Sequence, residues 1–558
     1  MNERSLDPSQ LGDNREEKKD LDAQVYTGAA DWEAVEARQE ETHRALKSRQ
    51  ISMIAIGGAV GTGLIIGSGS SLARSGPGSL FISYIVMGAV CLSVMLALGE
   101  MSTRFPSKKG FAGHATRCVD PAFGFATAVI YLCKYLITSP NQIVAGSLII
   151  AYWAPDINKA VWVTIFIVLV VAINLLGIKW FGEVEFWLSF IKILTLTGLI
   201  LMGLIIDLGG VKGQERLGFR YWKNGQAFKA WKTTGDLGRF LGFFNALVLA
   251  LFAYGGTELV AVTTGEAKNP RKAVPAAVKK TFYRVAFFYV IGVLIIGMIV
   301  DSHSPLLAQA AKKGTAGGAS ASPFVVAINA AGIDALPSIV NACLILFTFS
   351  AANSDQYICS RTLYGMALDG NAPRIFTKCN KRGLPWVSFI FTGSFMLLAY
   401  LVSSNDALTI FNYFVNSLTL FLGLAWVSIL ASYIAFQRGL KAQGISRDSL
   451  PYKAPLQPYL SYFGLFLICL VCFFKGFDAF MPFDTKSFVT NYIGIPVYFL
   501  SYFGYKFSRG TKIVKLHEMN LVDGAREFDD IMDEDDEEDS HYKSLPLKHK
   551  IIYHIKNW

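Results

Sequence analysis

The sequence contains few charged residues for its length. Only 17% of its 558 residues are Asp, Glu, Lys or Arg, whereas 52% are hydrophobic and the mean hydropathy is +0.38. A soluble domain cannot bury that much apolar surface. The composition therefore excludes an ordinary soluble protein and indicates a chain that crosses a membrane many times.

Other signals are also missing. The net charge of +10 is spread over many short connections, so there is no basic face or arm for nucleic acid. The CxxC at Cys469 and Cys472 lies among apolar residues with no His or second cysteine pair nearby, which argues against a metal or redox site. Residues 1–48 contain no apolar segment typical of a cleavable signal sequence. We expect no metal, no cofactor and no catalytic residues.

Long apolar runs dominate the rest of the chain. A membrane-spanning helix needs about 20 mostly apolar residues. About twelve segments qualify, near 50–72, 80–102, 122–150, 160–181, 184–207, 240–263, 283–301, 335–358, 386–403, 408–436, 459–480 and 490–507. We predict an all-α integral membrane protein, with a transmembrane domain at 49–508 between tails at 1–48 and 509–558.

The positions of Lys and Arg predict the orientation of the chain. An even number of spans places both tails on one side, and the basic connections after the second, sixth and eighth spans share that side. Cytoplasmic connections carry an excess of Lys and Arg, so we predict that both tails are cytoplasmic. The basic connection 208–239 lies on the opposite side and is an exception to the pattern.

The first span contains an unusual number of glycines. In "GGAVGTGLIIGSG", residues 57–69, six of thirteen residues are glycine. A dinucleotide-binding loop is disfavoured because it requires a preceding strand and a βαβ context. The GxxxG spacing of Gly57 with Gly61, and of Gly63 with Gly67, is compatible with close helix packing. Packing alone does not explain the Gly-Thr-Gly at 61–63, which weakens the helix on every face.

The sixth span repeats this feature, with Gly255 and Gly256 in the middle of "LALFAYGGTELVAV" at 249–262. Glycine interruptions in the first and sixth spans are what a five-plus-five inverted repeat with two broken helices predicts. Freed N–H groups at the start of a half-helix attract a carboxylate, and freed carbonyls at the end of a half-helix attract an ammonium. A site with both groups suits an α-amino acid.

Several stretches then resemble the fungal amino acid permeases of the amino acid–polyamine–organocation superfamily, over about residues 45–510. The resemblance rests on "IGGAVGTGLIIGSG", "ALGEM", "GEVEFWLSFIKI", "FAYGGTELVAVTTGEAKNPRKAVP" and "SAANSDQYICSRTLYGMALDGNAPRIF". Within that family, "YLCKYLITSPNQ", "GIKWFGEVEFWLSFIK" and "RLGFRYW" are most similar to the dicarboxylic amino acid permeases.

The resemblance implies roles for residues at both helix breaks. At the first break, Gly61, Thr62 and Gly63 are expected to hold the substrate carboxylate, with a carbonyl from Val60. At the second, the residues expected to meet the amino group are Phe252, Ala253 and Gly255. Phe252 is placed to close over the substrate, although it is also compatible with a core aromatic that faces another helix.

Four ionisable residues, Glu100, Lys134, Lys192 and Glu258, fall inside predicted spans, where a charge is costly and a functional candidate by default. No histidine lies inside a predicted span, so the commonest proton-relay residue is absent from the spans. Lys192 matches a lysine that in related transporters stands beside the first break, where sodium-coupled relatives hold Na⁺. We predict proton symport through Glu258 and Lys192, with Glu100 third. A static buried pairing is the alternative for Glu100 and Lys192.

The third span carries a polar stripe. Lys134, Thr138 and Gln142 are four residues apart and share one helix face. If this face reaches the pocket, Lys134 can pair with the distal carboxylate of aspartate or glutamate; otherwise it bridges to Glu100 or to another acid outside the pocket. Asn353 is a further candidate to line the pocket, together with its neighbour Ser354.

These features predict a plasma-membrane amino acid permease and not an enzyme, with proton-coupled uptake of acidic amino acids. A broad or neutral permease, and a sensor of the same fold that does not transport, are the alternatives. The expected partners are the amino acid substrate, protons and the lipid bilayer, and the tails are candidates to bind trafficking or ubiquitination machinery.

Overall fold

The computed structural model describes residues 53, 57, 61–105, 110–211, 214–258, 270–305, 307, 322–333, 336–380, 383–403 and 407–521. The secondary-structure elements assigned within these ranges are all helices, and the one β-bridge joins Phe480 to Phe483. Three sequence predictions concern residues outside these ranges: the carbonyl of Val60, the tail at 1–48, and the part of the other tail after residue 521.

The described chain begins in a helix that follows the first glycine cluster. This helix, α1 (63–75), opens with a π-helical turn at Gly63–Gly67 and runs to Gly76, whose backbone (φ 80°, ψ 168°) is not helical. The chain then continues into α2 (77–104). A change of direction at Gly76 therefore separates the first span from the second.

The remaining helices follow in chain order. They are α3 Gly110–Cys118, α4 Pro121–Ile150, α5 Lys159–Leu175, α6 Ile178–Asp207, α7 Gly235–Ala253, α8 270–299, α9 Pro323–Ala330, α10 Leu336–Leu368, α11 Trp386–Ser403, α12 Ala407–Ala442, α13 Tyr459–Phe474, α14 Thr485–Tyr492 and α15 Gly494–Arg509. α8 contains a π-helical segment at Val285–Ile291, and α11 is 3₁₀-helical over Phe395–Ser403.

The predicted spans agree with these helices. In the described ranges, nine helical stretches are long and apolar enough to cross a membrane, and one of them contains both α1 and α2. α5 is a shorter apolar helix. The fourth span ends earlier than predicted, because the chain turns at Gly177 (φ 96°) between α5 and α6. The prediction of an all-α membrane protein is confirmed.

The helices pack around a central group. α4 packs on α10 and α12, and α2 packs on α7 and on the end of α12. The buried residues are mostly apolar but include many serine and threonine side chains and several charged ones, and the largest fully buried side chain is Trp426 of α12. This packing brings α1, α4, α10, α12 and the end of α7 around one point near the middle of the bundle.

The basic connection 208–239 folds over one end of the bundle. The Lys229 ammonium donates to the carbonyl of Ser302 at 2.9 Å, and the indole N–H of Trp222 donates to the carbonyl of Gly297, also at 2.9 Å. Arg220 pairs with Glu215 at 3.1 Å within the same segment. The contacts of Lys229 and Arg220 engage part of the positive charge of this connection.

Candidate functional site

A small cavity lies where the two glycine-rich segments meet. The volume open to the centres of water molecules is about 50 Å³. Since one water molecule needs at least about 10–15 Å³ on this measure, the cavity has room for a few water molecules. Five segments line it: Gly61, Thr62 and Gly63 before and at the start of α1; Lys134, Tyr135, Thr138 and Gln142 of α4; Phe252, Ala253, Gly255 and Gly256 at the end of α7; Ala351, Ser354, Asp355 and Ile358 of α10; and Leu418 and Leu422 of α12.

The start of α1 faces this cavity. Gly61 is not helical, and Thr62 caps the helix without a hydrogen bond from its side chain to the backbone. The Thr62 hydroxyl instead donates to Oε1 of Gln142 at 3.1 Å. The first N–H groups of a helix have no partner within it, and the predicted carboxylate site at 61–63 lies at the wall of this cavity.

Close packing explains part of the glycine requirement. A Cβ atom on Gly63 would lie 2.5 Å from Cα of Ala253, and one on Gly57 would lie 2.6 Å from Cβ of Ser189. The packing interpretation of these glycines therefore holds alongside the proposed binding role. A Cβ atom on Gly61 would meet only the Gln142 amide, at 3.6 Å.

The sixth span is broken, as predicted. α7 ends at Ala253, and residues 254–258 form turns. The Thr257 hydroxyl donates to the carbonyl of Tyr254 at 3.0 Å, and the Tyr254 hydroxyl donates to the carbonyl of Tyr84 at 2.8 Å. Phe252 lines the cavity and also meets Phe411 edge-on, with 6.3 Å between ring centroids. Phe252 therefore lines the cavity and also packs against an aromatic ring of α12.

Lys134 pairs with Glu258 across the edge of the cavity. The ammonium donates to Oε1 of Glu258, and the indole N–H of Trp426 donates to Oε2 at 3.4 Å. The ammonium also lies 4.2 Å from the centroid of the Tyr135 ring. Lys134 thus reaches the cavity and bridges to an acid, but that acid is Glu258 and not Glu100.

Lys192 lies beside the first break, where the resemblance places it. Its ammonium donates to the carbonyl of Gly57 at 3.5 Å and lies 3.9 Å from Oε1 of Glu185. The side chains of Lys192 and Glu185 are both fully buried. Oε1 of Glu185 also accepts a hydrogen bond from Ser350 at 2.6 Å, which links α6 to α10.

The structure places Glu100 away from the cavity, at the end of α2. It pairs with Arg447, whose Nε lies 3.0 Å from Oε1, and it accepts hydrogen bonds from the Tyr433 hydroxyl at 2.6 Å and the N–H of Ala454 at 2.7 Å. These contacts tie α2 to α12 and to the connection that follows it. The alternative of a static buried pairing therefore describes Glu100 better than a position in the coupling site.

The placement of Asn353 also needs correction. Its side chain is fully buried between α10 and α5, where Oδ1 accepts a hydrogen bond from Asn174 at 2.8 Å, and it does not line the cavity. Its neighbour Ser354 does line the cavity, because one helical position turns the side chain by about 100°.

Two carboxylates in this region, Asp355 and Glu185, are absent from the residues predicted from the sequence. Asp355 lines the cavity, and its buried Oδ2 atom has no hydrogen-bond partner in the described chain. Both residues lie within predicted spans. An ionisable residue inside a span is a functional candidate, so the criterion that selected Glu100 also applies to them. In the described part of the chain, no group of three or more His, Cys, Asp or Glu residues is arranged to hold a metal.

Solved transporter structures show a similar fold. A mutant form of the manganese transporter of Eremococcus coleocola superimposes with a TM-score of 0.51 at 13% identity, over 87% of this chain and 95% of that one. At this identity the likeness concerns the fold alone. It agrees with the prediction of a transporter fold built from a five-plus-five repeat with broken first and sixth helices.

Other permeases are more similar to this chain in sequence than that transporter is. The dicarboxylic amino acid permease of Saccharomyces cerevisiae is 46% identical over 499 residues, which cover 88% of this chain and 81% of that one. The proline-specific permease of Emericella nidulans is 37% identical, over 92% of this chain and 94% of that one. These relatives are permeases and not enzymes, as predicted. Because the amino acid permease family model also matches residues 50–518, the chain belongs to the amino acid permease family.

Proposed function

We propose that this permease takes up acidic amino acids, aspartate and glutamate, together with protons. The observation that carries this proposal is the position of Lys134, whose ammonium lies at the cavity and is held by Glu258. A cation in a desolvated cavity is suited to the distal carboxylate of an acidic substrate. The 46% identity to a dicarboxylic amino acid permease supports the same substrate class.

The two helix breaks are proposed to bind the groups that all amino acids share. The N–H groups at 61–63 bind the α-carboxylate, and carbonyls at the end of α7, around Phe252 and Ala253, bind the ammonium. The Gly255 backbone lies beside them, and Thr138 of α4 lines the same cavity. The Phe252 ring covers the bound substrate.

The pairing of Lys134 with Glu258 suggests how protons are coupled to uptake. While Glu258 is ionised, it holds the Lys134 ammonium. A proton that binds Glu258 removes this attraction and frees the ammonium for the substrate carboxylate. Lys192 is proposed to assist from the first break, where it contacts the carbonyl of Gly57 in place of a sodium ion.

The location and orientation of the chain follow the same proposal. We place the protein in the plasma membrane with both tails cytoplasmic, the transmembrane domain at 49–508, and tails at 1–48 and 509–558. The tails are proposed to meet trafficking or ubiquitination machinery.

Uptake in a cell that lacks its own permeases tests the substrate assignment. The full chain is expressed, labelled glutamate uptake is measured, and each common amino acid is added as a competitor. We expect aspartate and glutamate to compete best and Na⁺ to be dispensable. Equal competition by alanine or serine would establish the broad or neutral alternative, which the similarity to a proline-specific permease favours. Absence of uptake of every amino acid at normal surface level would point to a sensor.

A further inference from the structure

Asp355 of α10 brings a second carboxylate to the cavity. It lines the same cavity as the start of α1, and its Oδ2 atom is buried without a hydrogen-bond partner in the described residues. An ionised carboxylate that is buried and unpaired is costly, and in a membrane it marks a functional site by default. The roles derived above for the permease leave this side chain unused.

The nearby cations already have carboxylate partners. Lys134 of α4 is held by Glu258, and Lys192 of α6 lies 3.9 Å from Glu185. These four residues are the charged groups that act on Asp355. The charge of Asp355 in turn acts on Tyr131 and Tyr135 of α4 and on Cys359 of α10, which are all neutral when protonated. With two ammonium groups and three carboxylates ionised, the described surroundings of the cavity carry one excess negative charge, and Asp355 is the carboxylate without a partner.

An acidic substrate makes this excess larger. Glutamate and aspartate carry one net negative charge, and two carboxylates that approach each other cannot both remain ionised at low cost. A protonated carboxyl group, in contrast, can donate a short hydrogen bond to a carboxylate. Binding a proton at Asp355 therefore converts a repulsive contact into an attractive one.

We propose that Asp355 takes up a proton together with an acidic substrate and donates it as a hydrogen bond to the distal carboxylate of that substrate. The proton enters with the substrate and leaves Asp355 when the substrate departs on the other side of the membrane. Asp355 thus accounts for one of the protons moved per glutamate. For the class of substrate, this inference rests on the proposed function.

The purified full chain in proteoliposomes tests the inference through the number of charges moved with each glutamate. In the Asp355→Asn variant, the amide still donates a hydrogen bond but binds no proton. We expect it to transport glutamate with one proton fewer than the parent and with a shallower dependence on pH. Asp355→Glu restores both. Asp207→Asn changes a buried acid at the far end of α6 and leaves the proton count unchanged.

Other outcomes overturn the inference. An unchanged proton count in Asp355→Asn excludes Asp355 as a proton carrier. Loss of binding of glutamate and alanine together, at normal protein level, indicates instead that Asp355 holds the α-ammonium. If the parent binds alanine but not glutamate, the proposed substrate class is wrong. That result differs from an unchanged proton count in Asp355→Asn, which contradicts only the role of Asp355.

A second measurement covers the case in which Asp355→Asn does not fold. In the double variant Lys134→Gln/Glu258→Gln, both charges of the pair are removed together, so the excess negative charge at the cavity is unchanged. Glutamate binding to this variant in weakly buffered solution is still expected to take up one proton, because Asp355 remains as an acceptor. Glutamate binding without proton uptake overturns the inference.

Discussion

Lys134 and Glu258 form an ion pair that joins α4 to the turn after α7, and their side chains are only 3% and 0% exposed. Such a pair depends on both partners, because removal of one leaves an uncompensated buried charge. It lies at the edge of the cavity, so any change in it affects both folding and the site. Variants of this pair must therefore be compared at equal surface level.

Lys134→Gln alone is expected to cost roughly 3–5 kcal/mol of stability, since it leaves Glu258 buried and unpaired. Surface level and uptake of all substrates then fall together. The double variant Lys134→Gln/Glu258→Gln leaves no unpaired charge and recovers the surface level. If Lys134 also meets the distal carboxylate, the double variant has a roughly tenfold or greater loss of apparent affinity for glutamate relative to alanine. If the ratio of the apparent affinities for glutamate and alanine, measured per surface molecule, is unchanged in the double variant, Lys134 has no role in selectivity.

Gly61→Ala and Gly63→Ala are expected to act differently. The methyl group on residue 61 meets only the Gln142 amide at 3.6 Å, so we expect the protein to fold and the methyl group to narrow the turn that we propose binds the carboxylate. We expect a normal surface level and a loss of uptake of about tenfold or more for every amino acid. A tenfold loss corresponds to about 1.4 kcal/mol of binding free energy. On residue 63 the methyl group meets the backbone of Ala253 at 2.5 Å, so overpacking of about 1–3 kcal/mol lowers the surface level. Normal uptake by Gly61→Ala would remove this turn from the site.

Glu100→Gln is expected to impair folding and leave coupling intact. It weakens the pair with Arg447, whose side chain is 21% exposed, and the hydrogen bonds from Tyr433 and Ala454. A loss of roughly 3 kcal/mol follows from the removal of one partner of a largely buried pair. The checks are thermal unfolding in detergent and the pH profile of uptake per surface molecule. A changed pH profile of uptake at normal stability would show instead that Glu100 takes part in proton coupling.

Lys192→Met is expected to abolish accumulation against a gradient while exchange of internal for external substrate continues. The variant removes the ammonium beside the carbonyl of Gly57 and leaves Glu185 without its neighbouring cation. Uptake by the parent should follow external pH and not respond to Na⁺. Lys223→Met, at an exposed lysine, is the matched control and should accumulate normally. Strict dependence of the parent on Na⁺ would contradict proton coupling.

Asp120→Ala is expected to loosen the segment after α15. Burial alone would raise the pKa of the Asp120 carboxyl, but hydrogen bonds from Lys506, the N–H of Ala122 and Thr511 outweigh it and lower the pKa. This stabilisation is therefore present above the ordinary pKa of about 3.9 and is lost as the pH falls through the lowered pKa.

The helix cap separates two variants of Asp120. Asp120→Asn keeps a good cap for α4 and loses only the ion pair, whereas Asp120→Ala also loses the cap, worth about 1 kcal/mol. Residues 510–521 should become more sensitive to protease in both, and the melting temperature should fall further in Asp120→Ala. Equal protease sensitivity of the parent and both variants would show that this segment is held elsewhere, for instance through buried Met519.

Local composition was sufficient for most of the fold. Each span is a run of apolar residues, and each break is a glycine cluster, so both can be read from short segments such as 249–262. The backbone in such a segment must satisfy its own hydrogen bonds in lipid, which makes the helix prediction insensitive to distant parts of the chain. The spacing of Lys134, Thr138 and Gln142 also placed all three on the face that lines the cavity.

The pairing of the buried charges, in contrast, depends on how distant segments pack. Lys134 and Glu258 are 124 positions apart. The sequence left two equal alternatives for that ammonium: the substrate carboxylate, or an acid outside the pocket, of which only Glu100 was named. Adjacent positions such as Asn353 and Ser354 differ only in which neighbouring helix they face. A hydrogen-bonded ion pair forms only when the two groups lie within a few ångströms of each other. The packing of α4, α7, α10 and α12 therefore decides which carboxylate meets Lys134, and it leaves Oδ2 of Asp355 without a hydrogen-bond partner among the described residues.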